Sequence, residues 1–219
     1  MQLIDLSHPI ESGMITYRGL PAPVICDYLS REASRGLYAA GTEFHIGRID
    51  MVANTGTYLD SPFHRYATGR DIAQLPLESL AQLPCLVAHL SDPPRRAIDE
   101  LPFPAAEVRG KAVLVHTGWA RHWRTEGYFE ASPYLSARLA AWLRDAGATL
   151  VGIDSHNIDC TDRGDRPVHS TLLSADIPIV EHLCSLERVP ERGARFSAVP
   201  AKVMGLGTFP VRAFAALEE

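Results

Sequence analysis

The stretch Asn54-Thr-Gly-Thr-Tyr-Leu-Asp-Ser-Pro-Phe-His64 combines ionisable side chains with residues that constrain the backbone. Gly56 permits a tight turn with close backbone approach, and Pro62 stiffens the loop that joins Asp60 to His64. Taken alone, such a pair is more often an aspartate that caps a helix and a histidine in solvent. Polar groups in a loop of this kind at the end of a strand often face a pocket. The stretch is therefore a candidate site.

In two later segments, ionisable residues lie beside or among apolar residues. Residues 152–159 follow a buried strand and contain two aspartates and His156, as at the rim of a site. His169 and Glu181 each lie among apolar residues, where an isolated charge is costly. A buried Glu181 needs a partner, and a metal ion is one of the few that suffice. The alternative is a glutamate on the solvated face of a short helix.

Apolar periodicity predicts one α/β domain over residues 1–219 with mixed sheet content. We expect short strands and a helix at Ser136–Ala146 that ends at Gly147. A second helix is expected from Asp176 or Pro178 through Leu183. The predicted strands are Leu3–Leu6, Phe44–Ala53, Cys85–Leu90, Ala112–His116, Thr149–Ile153 and Ala201–Met204.

The composition favours a soluble globular protein. The chain has 219 residues, 46% of them hydrophobic, and a formal net charge of −5 without a block of basic residues. Nucleic acid and membrane partners are therefore not expected, and the N-terminus does not resemble a signal peptide. Four cysteines without a C-x-x-C pair predict reduced thiols and a cytoplasmic location.

The chain resembles the cyclase family of metal-dependent hydrolases, which includes bacterial kynurenine formamidase and isatin hydrolase. That family carries the motif His-x-Gly-Thr-His-x-Asp-x-Pro-x-His, and residues 54–64 match it at Gly, Thr, Asp, Pro and the last His. The similarity extends along the chain through Ile4–Pro9, Val115–Trp119, Gly152–Asp154, His169 and Ile179–Glu181.

The resemblance implies a fold and a set of roles. The fold is α/β, with a mixed and partly barrel-like β core flanked by helices, of the swivelling β/β/α type, in a homodimer or larger homo-oligomer. The metal ligands of the family correspond here to Asn54, Tyr58, Asp60, His169 and Glu181. His64 corresponds to the residue that carries out acid/base chemistry.

Two ligand positions of the family motif lack histidine, because Asn54 and Tyr58 occupy them. Asn54 offers a carbonyl oxygen, a weak ligand, and a phenol with a pKa near 10 binds divalent metals poorly. The leading hypothesis is therefore a hydrolase of a small amide, formamide or lactone with one Zn or Mn ion. Asp60, His169, Glu181 and Asn54 would bind the metal, His64 would transfer protons, and Tyr58 would donate a hydrogen bond to a developing oxyanion.

Two other classes stay open. One is a degenerate relative that binds a small molecule without catalysis, and the other is a metal-independent cyclase or dehydratase with acid/base residues. Among the other histidines, His156 is a candidate to line the pocket or to replace a missing ligand. His45 is expected on the opposite face of its strand from Asn54 and so in a structural role.

Overall fold

A mixed sheet of nine strands organises the protein in the computed structural model, which describes residues 1–91, 93 and 95–217. Two pairs of strands lie outside this sheet. The strands are β1 (Gln2–Asp5), β2 (Val24–Leu29), β3 (Ile46–Asp50), β4 (Tyr58–Asp60), β5 (Leu83–His89), β6 (Ala97–Ile98), β7 (Ala112–His116), β8 (Tyr134–Leu135), β9 (Leu150–Ile153), β10 (Ile179–Glu181), β11 (Ala194–Ser197), β12 (Thr208–Pro210) and β13 (Phe214–Leu217).

The order in the large sheet is β1-β13-β11-β5-β7-β9-β10-β4-β12. The central strands β5, β7, β9 and β10 run parallel to one another. The strands on either side pair antiparallel. Small pairs are formed by β2 with β3 and by β6 with β8.

Both faces of the central strands are buried, which explains why they appear in the sequence as continuous apolar runs. In β7, Ala112 and Leu114 point into one apolar core, whereas Val113 and Val115 point into the other. This alternation is the period-2 geometry of a strand that is covered on two sides.

The large sheet curls around the first of these cores. The same buried cluster contains Ile4 of the edge strand β1 and Leu59 of β4, which lies near the opposite edge of the sheet. A bridge between Ser7 and Leu183 and a hydrogen bond from the Cys184 amide to the Leu6 carbonyl, 3.0 Å, join the two sides directly. The expected α/β fold with a partly barrel-like β core is confirmed.

Helices are few and short. They are α1 (Arg31–Ser34), α2 (Ala105–Val108), α3 (Ala137–Ala146) and α4 (Pro167–Leu173). The hydroxyl of Ser136 caps the first turn of α3. Gly147 ends the helix with a positive φ of 81°, and this end is the one the sequence predicts. Short 3₁₀ segments are Pro62–His64, Ile72–Gln74, Leu77–Ser79, Trp119–His122, Glu126–Phe129 and Leu186–Arg188.

Two of the predicted elements are wrong. The segment from Asp176 to Leu183 contains strand β10 instead of a helix, because Ile179 and Val180 pair with β9 on one side and with β4 on the other. Residues 201–204 form a loop instead of a strand, and Met204 is exposed there. A short apolar run does not by itself distinguish these states.

The strand predicted over residues 44–53 is shorter than expected. It becomes β3, which pairs with β2 in a separate hairpin. Side chains on both faces of this hairpin are exposed, including Ile25, Tyr28 and Ile49. Alternation of apolar residues predicted the strand. Alternation alone does not show whether an apolar face packs against a core.

Within the described residues, no helix has the length and apolar character needed to cross a membrane. The four cysteines are all free thiols, as the sequence predicts.

Gly152 gives a test of the packing between β9 and its neighbours. A Cβ atom at this position would lie 2.8 Å from both Leu114 Cδ2 and Leu183 Cδ1. We expect Gly152→Ala to lower the free energy of unfolding by about 1–3 kcal/mol through overpacking. Urea denaturation measures this effect, and Gly164→Ala is the control because a Cβ there meets no atom within 4 Å. Equal stability of the two variants would contradict the packing described.

Candidate functional site

Strand register places four polar side chains on one face of the sheet. In β4, Tyr58 and Asp60 are two residues apart and so point the same way. Tyr58 lies opposite Glu181 of β10, and Asp60 lies opposite Thr208 of β12. Directly opposed residues on neighbouring strands share a face. Residues that are far apart in the sequence therefore meet here.

The first turn of α4 adds His169, and Asp159 fixes its orientation. The carboxylate of Asp159 accepts hydrogen bonds from the backbone amides of Val168 at 2.8 Å and His169 at 3.0 Å. It also accepts from Nδ1 of His169 at 2.7 Å. One buried aspartate thus caps the helix and holds the imidazole so that Nε2 faces Asp60 and Glu181.

Nε2 of His169 lies close to two buried carboxylates. Nε2 of His169 lies 3.6 Å from Oδ2 of Asp60 and 3.7 Å from Oε1 of Glu181. Asp60 and Glu181 are both fully buried, and Oδ2 of Asp60 has no hydrogen-bond partner among the described residues. Ligands about 2.1 Å from a tetrahedral zinc are separated by roughly 3.4 Å, so this spacing fits a small divalent cation.

The charges of these groups also fit a cation. Burial opposes protonation of His169, but the carboxylates of Asp159, Asp60 and Glu181 outweigh it and raise the pKa of His169 to about 10. Burial raises the pKa of Glu181 to about 7. Two carboxylates that share a buried space favour a positive charge between them, and a proton on His169 or a metal ion supplies it.

Glu181 is held by three donors besides its contact with His169. The hydroxyl of Tyr58 donates to Oε2 at 2.6 Å, and the amide of Ile158 donates to Oε1 at 2.7 Å. Asn157 adds a longer bond to Oε2 at 3.4 Å. Burial raises the pKa of Tyr58 well above that of an exposed tyrosine, so the phenol keeps its proton. Because this proton is donated to Glu181, the expected donation from Tyr58 to a substrate oxygen stays a prediction.

A hydrogen-bonded chain links His64 to Asp60. The hydroxyl of Thr208 donates to Oδ1 of Asp60 and lies 2.9 Å from Nδ1 of His64. Because the single hydroxyl proton is given to the carboxylate, the Thr208 oxygen accepts from Nδ1–H of His64. In a neutral imidazole, Nε2 of His64 then carries the free lone pair, as a general base requires.

These side chains border a cavity of about 370 Å³. Asp60, His64 and His169 each offer a ligand atom within 4.8 Å of the others. Five of the residues predicted from the sequence line the cavity, and the sixth, Asp60, lies in contact with His64 and His169. The lining residues are Tyr17, Arg18, Leu20, Asn54, Tyr58, His64, Arg65, Asn157, Arg166, His169 and Glu181.

Two other histidines lie outside this lining. His156 packs against Tyr17 with ring centroids 4.3 Å apart, so it supports the cavity wall from behind. His45 lies on the β2–β3 hairpin, where its Nε2 is 2.8 Å from Oδ1 of Asp27. His45 and Asn54 both lie outside β3, so the structural role expected for His45 stays a prediction.

The sequence did not reveal the residues that orient the site. Asp159 belongs to a segment interpreted as a site rim, but its role in capping α4 and holding His169 depends on the fold. Thr208 lies 148 residues from Asp60 and carries no motif. Only the pairing of β12 with β4 brings it to the site.

The hydrogen bond from Tyr58 to Glu181 predicts a measurable stability effect. We expect Tyr58→Phe to lower the free energy of unfolding of the metal-free protein by about 1–3 kcal/mol, because a buried carboxylate oxygen loses its shortest donor. Urea denaturation in the presence of a chelator measures the change. Tyr28→Phe removes the hydroxyl of an exposed tyrosine and is expected to change it by less than about 0.5 kcal/mol. A Tyr58→Phe protein as stable as this control would contradict a stabilising bond.

The sequence matches known proteins over most of its length. The family model described as putative cyclase matches residues 4–160. A kynurenine formamidase from Geobacillus thermodenitrificans (strain NG80-2) is 33% identical over 171 residues, which cover 77% of this chain and 78% of that protein.

Solved structures share the fold over the whole chain. One described as a potential metal-dependent hydrolase with cyclase activity has a TM-score of 0.79 and 26% identity, and the match covers 100% of this chain and 98% of that one. An isatin hydrolase bound to the product analogue thioisatinate has a TM-score of 0.79 at 20% identity, covering 100% and 93% of the two chains, which shows likeness of fold. The match of the family model over most of the chain and the identity to the Geobacillus protein show that this chain belongs to the cyclase family.

Proposed function

We propose that this protein is a metal-dependent hydrolase that cleaves a small amide, formamide or lactone. The observation that carries the proposal is that Nε2 of His169 lies 3.6 Å from Oδ2 of Asp60 and 3.7 Å from Oε1 of Glu181 beside a cavity. The names of the similar proteins support it, since one is a kynurenine formamidase and another a potential metal-dependent hydrolase.

One divalent ion, Zn or Mn, suits this set of one imidazole and two carboxylates. Asp60, His169 and Glu181 would hold it, and Asn54 in the cavity wall offers a weaker amide oxygen. Such an ion lowers the pKa of a bound water from about 15.7 to about 7 and polarises a carbonyl group. Asp159 keeps the ligand nitrogen of His169 directed at the site through the bond at Nδ1.

His64 is suited to proton transfer in this reaction. Its Nδ1 donates to Thr208, so Nε2 is free to accept a proton from the attacking water. The same nitrogen returns the proton to the leaving nitrogen or oxygen when the bond to the carbonyl carbon breaks. The side chain of His64 is 36% exposed, so it is accessible to substrate in the cavity.

Elemental analysis of protein purified without added metal tests the metal site. We expect about one Zn or Mn per chain and loss of that metal in Asp60→Asn and His169→Ala. Asp159→Asn is expected to weaken metal binding about 10–100-fold, because it removes the partner that orients His169. Asp176→Asn, at an exposed aspartate, is the control and should bind metal as the unaltered protein does.

Two results would overturn this part of the proposal. Failure to bind Zn or Mn at any loading would exclude the metal-dependent mechanism, and two equivalent tight sites would contradict a single ion.

Activity is then assayed with formanilides and lactones. His64→Ala is expected to lower kcat roughly 10²–10⁴-fold with the metal content unchanged. Tight metal binding without hydrolysis of any member of the panel would favour a binding protein.

We further propose that the protein forms a homodimer or larger homo-oligomer in the cytoplasm. Four free thiols are compatible with a reducing compartment. The β2–β3 hairpin supports assembly, because a two-stranded sheet alone is marginally stable in water. Its cross-strand pair Ile25 and Ile49 is exposed, as a surface covered by a second copy would be in a single chain.

Light scattering after size-exclusion chromatography tests the assembly. We expect the unaltered protein to have at least twice the mass of one chain and Ile49→Lys to shift it toward the monomer, since a charge would enter an apolar interface. Leu77→Lys, at an exposed leucine outside the hairpin, is the control. A monomer at every concentration would contradict the proposal.

A further inference from the structure

The cavity wall is basic although the protein as a whole is acidic. The chain carries 21 Lys and Arg against 26 Asp and Glu. The cavity is nevertheless lined by three arginines, Arg18, Arg65 and Arg166, and by one acid, Glu181, which is fully buried. A cavity whose accessible charges share one sign concentrates ligands of the opposite sign.

The three arginines are not equivalent. Arg18 is paired with two carboxylates, since its Nη2 lies 2.8 Å from Oε2 of Glu126 and 3.3 Å from Oε1 of Glu130. Arg65 has no carboxylate partner in the described part of the chain. Its Nε donates to Oγ of Ser170 at 3.2 Å, and the guanidinium lies over the ring of Tyr66 at 5.3 Å.

Arg166 also lacks a carboxylate partner in the ranges described. Its Nη1 donates to the carbonyl oxygens of Cys160 and Asp165, each at 3.1 Å, and to that of Arg163. These bonds engage one nitrogen and fix the position of the group, so its other donors remain for a ligand. A positioned guanidinium offers a fork that matches a carboxylate.

Both unpaired arginines lie beside the proposed reaction centre. Arg65 follows His64 directly, and Arg166 precedes His169 by three residues at the start of α4. The hydrogen bond of Arg65 to Ser170 ties the first of these groups to the same helix. Tyr17 and Leu20 in the lining offer apolar contact to the remainder of a small molecule.

We propose that Arg65 and Arg166 form a carboxylate-binding subsite and that the substrate is a small amide or lactone carrying a carboxylate group. The part of this inference that concerns the reaction rests on the proposed function. The part that concerns binding of the anion does not. The two arginines would hold the carboxylate at the cavity wall while His64 and the convergent ligand atoms face the bond to be cleaved. A neutral amide would lack this anchor.

Calorimetric titration of chelator-treated protein isolates the subsite from any metal. The probes are benzoate and its neutral analogue benzamide. We expect benzoate to bind at least about tenfold more tightly, with an affinity that falls as salt is added. Arg65→Gln and Arg166→Gln are each expected to weaken benzoate binding by about 10–100-fold and to leave benzamide unaffected. Arg18→Gln, at the arginine already neutralised by two glutamates, should bind benzoate within about twofold of the unaltered protein.

Arg166→Lys keeps the positive charge but removes the planar fork. It therefore tests whether weaker benzoate binding in Arg166→Gln comes from the lost charge or from a loosened loop. We expect it to bind benzoate more tightly than Arg166→Gln does and less tightly than the unaltered protein. Equal binding of benzoate and benzamide, or undiminished benzoate binding in Arg65→Gln, would overturn the subsite.

A kinetic comparison connects the subsite to the reaction. With metal-loaded protein, 2-formamidobenzoate should be hydrolysed with a KM at least about tenfold below that of formanilide, and Arg65→Gln should remove that difference with little change in kcat. Equal KM values in the unaltered protein would overturn the assignment of the substrate class. Binding of benzoate without hydrolysis of either formamide or of any lactone in the panel would refute the proposed function while it supports the subsite.

Discussion

Two fully buried carboxylates that face one imidazole set the main physical constraint on this structure. Removing an ionised carboxylate from water costs several kcal/mol unless charge and hydrogen bonds compensate. Asp60 receives a hydrogen bond from Thr208, and Glu181 receives bonds from Tyr58 and Ile158. These donors belong to different segments of the chain, so the cluster cross-links them. Oδ2 of Asp60 has no hydrogen-bond partner among the described residues and lies 3.6 Å from Nε2 of His169, where a positive charge completes the compensation.

This arrangement depends on strand register more than on the local conformation of any loop. A shift of one residue between β4 and β10 would turn every side chain of β4 to the other face of the sheet. Tyr58 would then lose Glu181, and Asp60 would lose Thr208. The buried leucine between them, Leu59, prevents such a shift because its side chain belongs to the apolar core. The same packing that stabilises the fold therefore fixes the geometry of the site.

The features of the fold that depend on local sequence patterns were predicted from the sequence alone. Buried parallel strands such as Ala112–His116 and the capped helix after Ser136 follow from continuous apolar runs and from an amphipathic pattern with its caps. The resemblance of residues 54–64 to a family motif then assigned the side chains that the structure brings to one cavity. Residues 176–183 were misinterpreted, because a short apolar run fits a helix or a strand until its neighbours are known. Thr208 and the two unpaired arginines had no local signal, since their positions depend on tertiary contacts.

The two departures from the family motif have a consistent physical meaning. An imidazole offers a lone pair to a metal, whereas the phenol of Tyr58 keeps its proton and donates it to Oε2 of Glu181. This hydrogen bond engages Oε2, while Oε1 of the same carboxylate lies 3.7 Å from Nε2 of His169. Asn54 leaves an uncharged amide in the cavity wall instead of a second strong ligand. The proposal of a single cation rests on the donor set that remains, and the cavity beside it is the space proposed for a substrate.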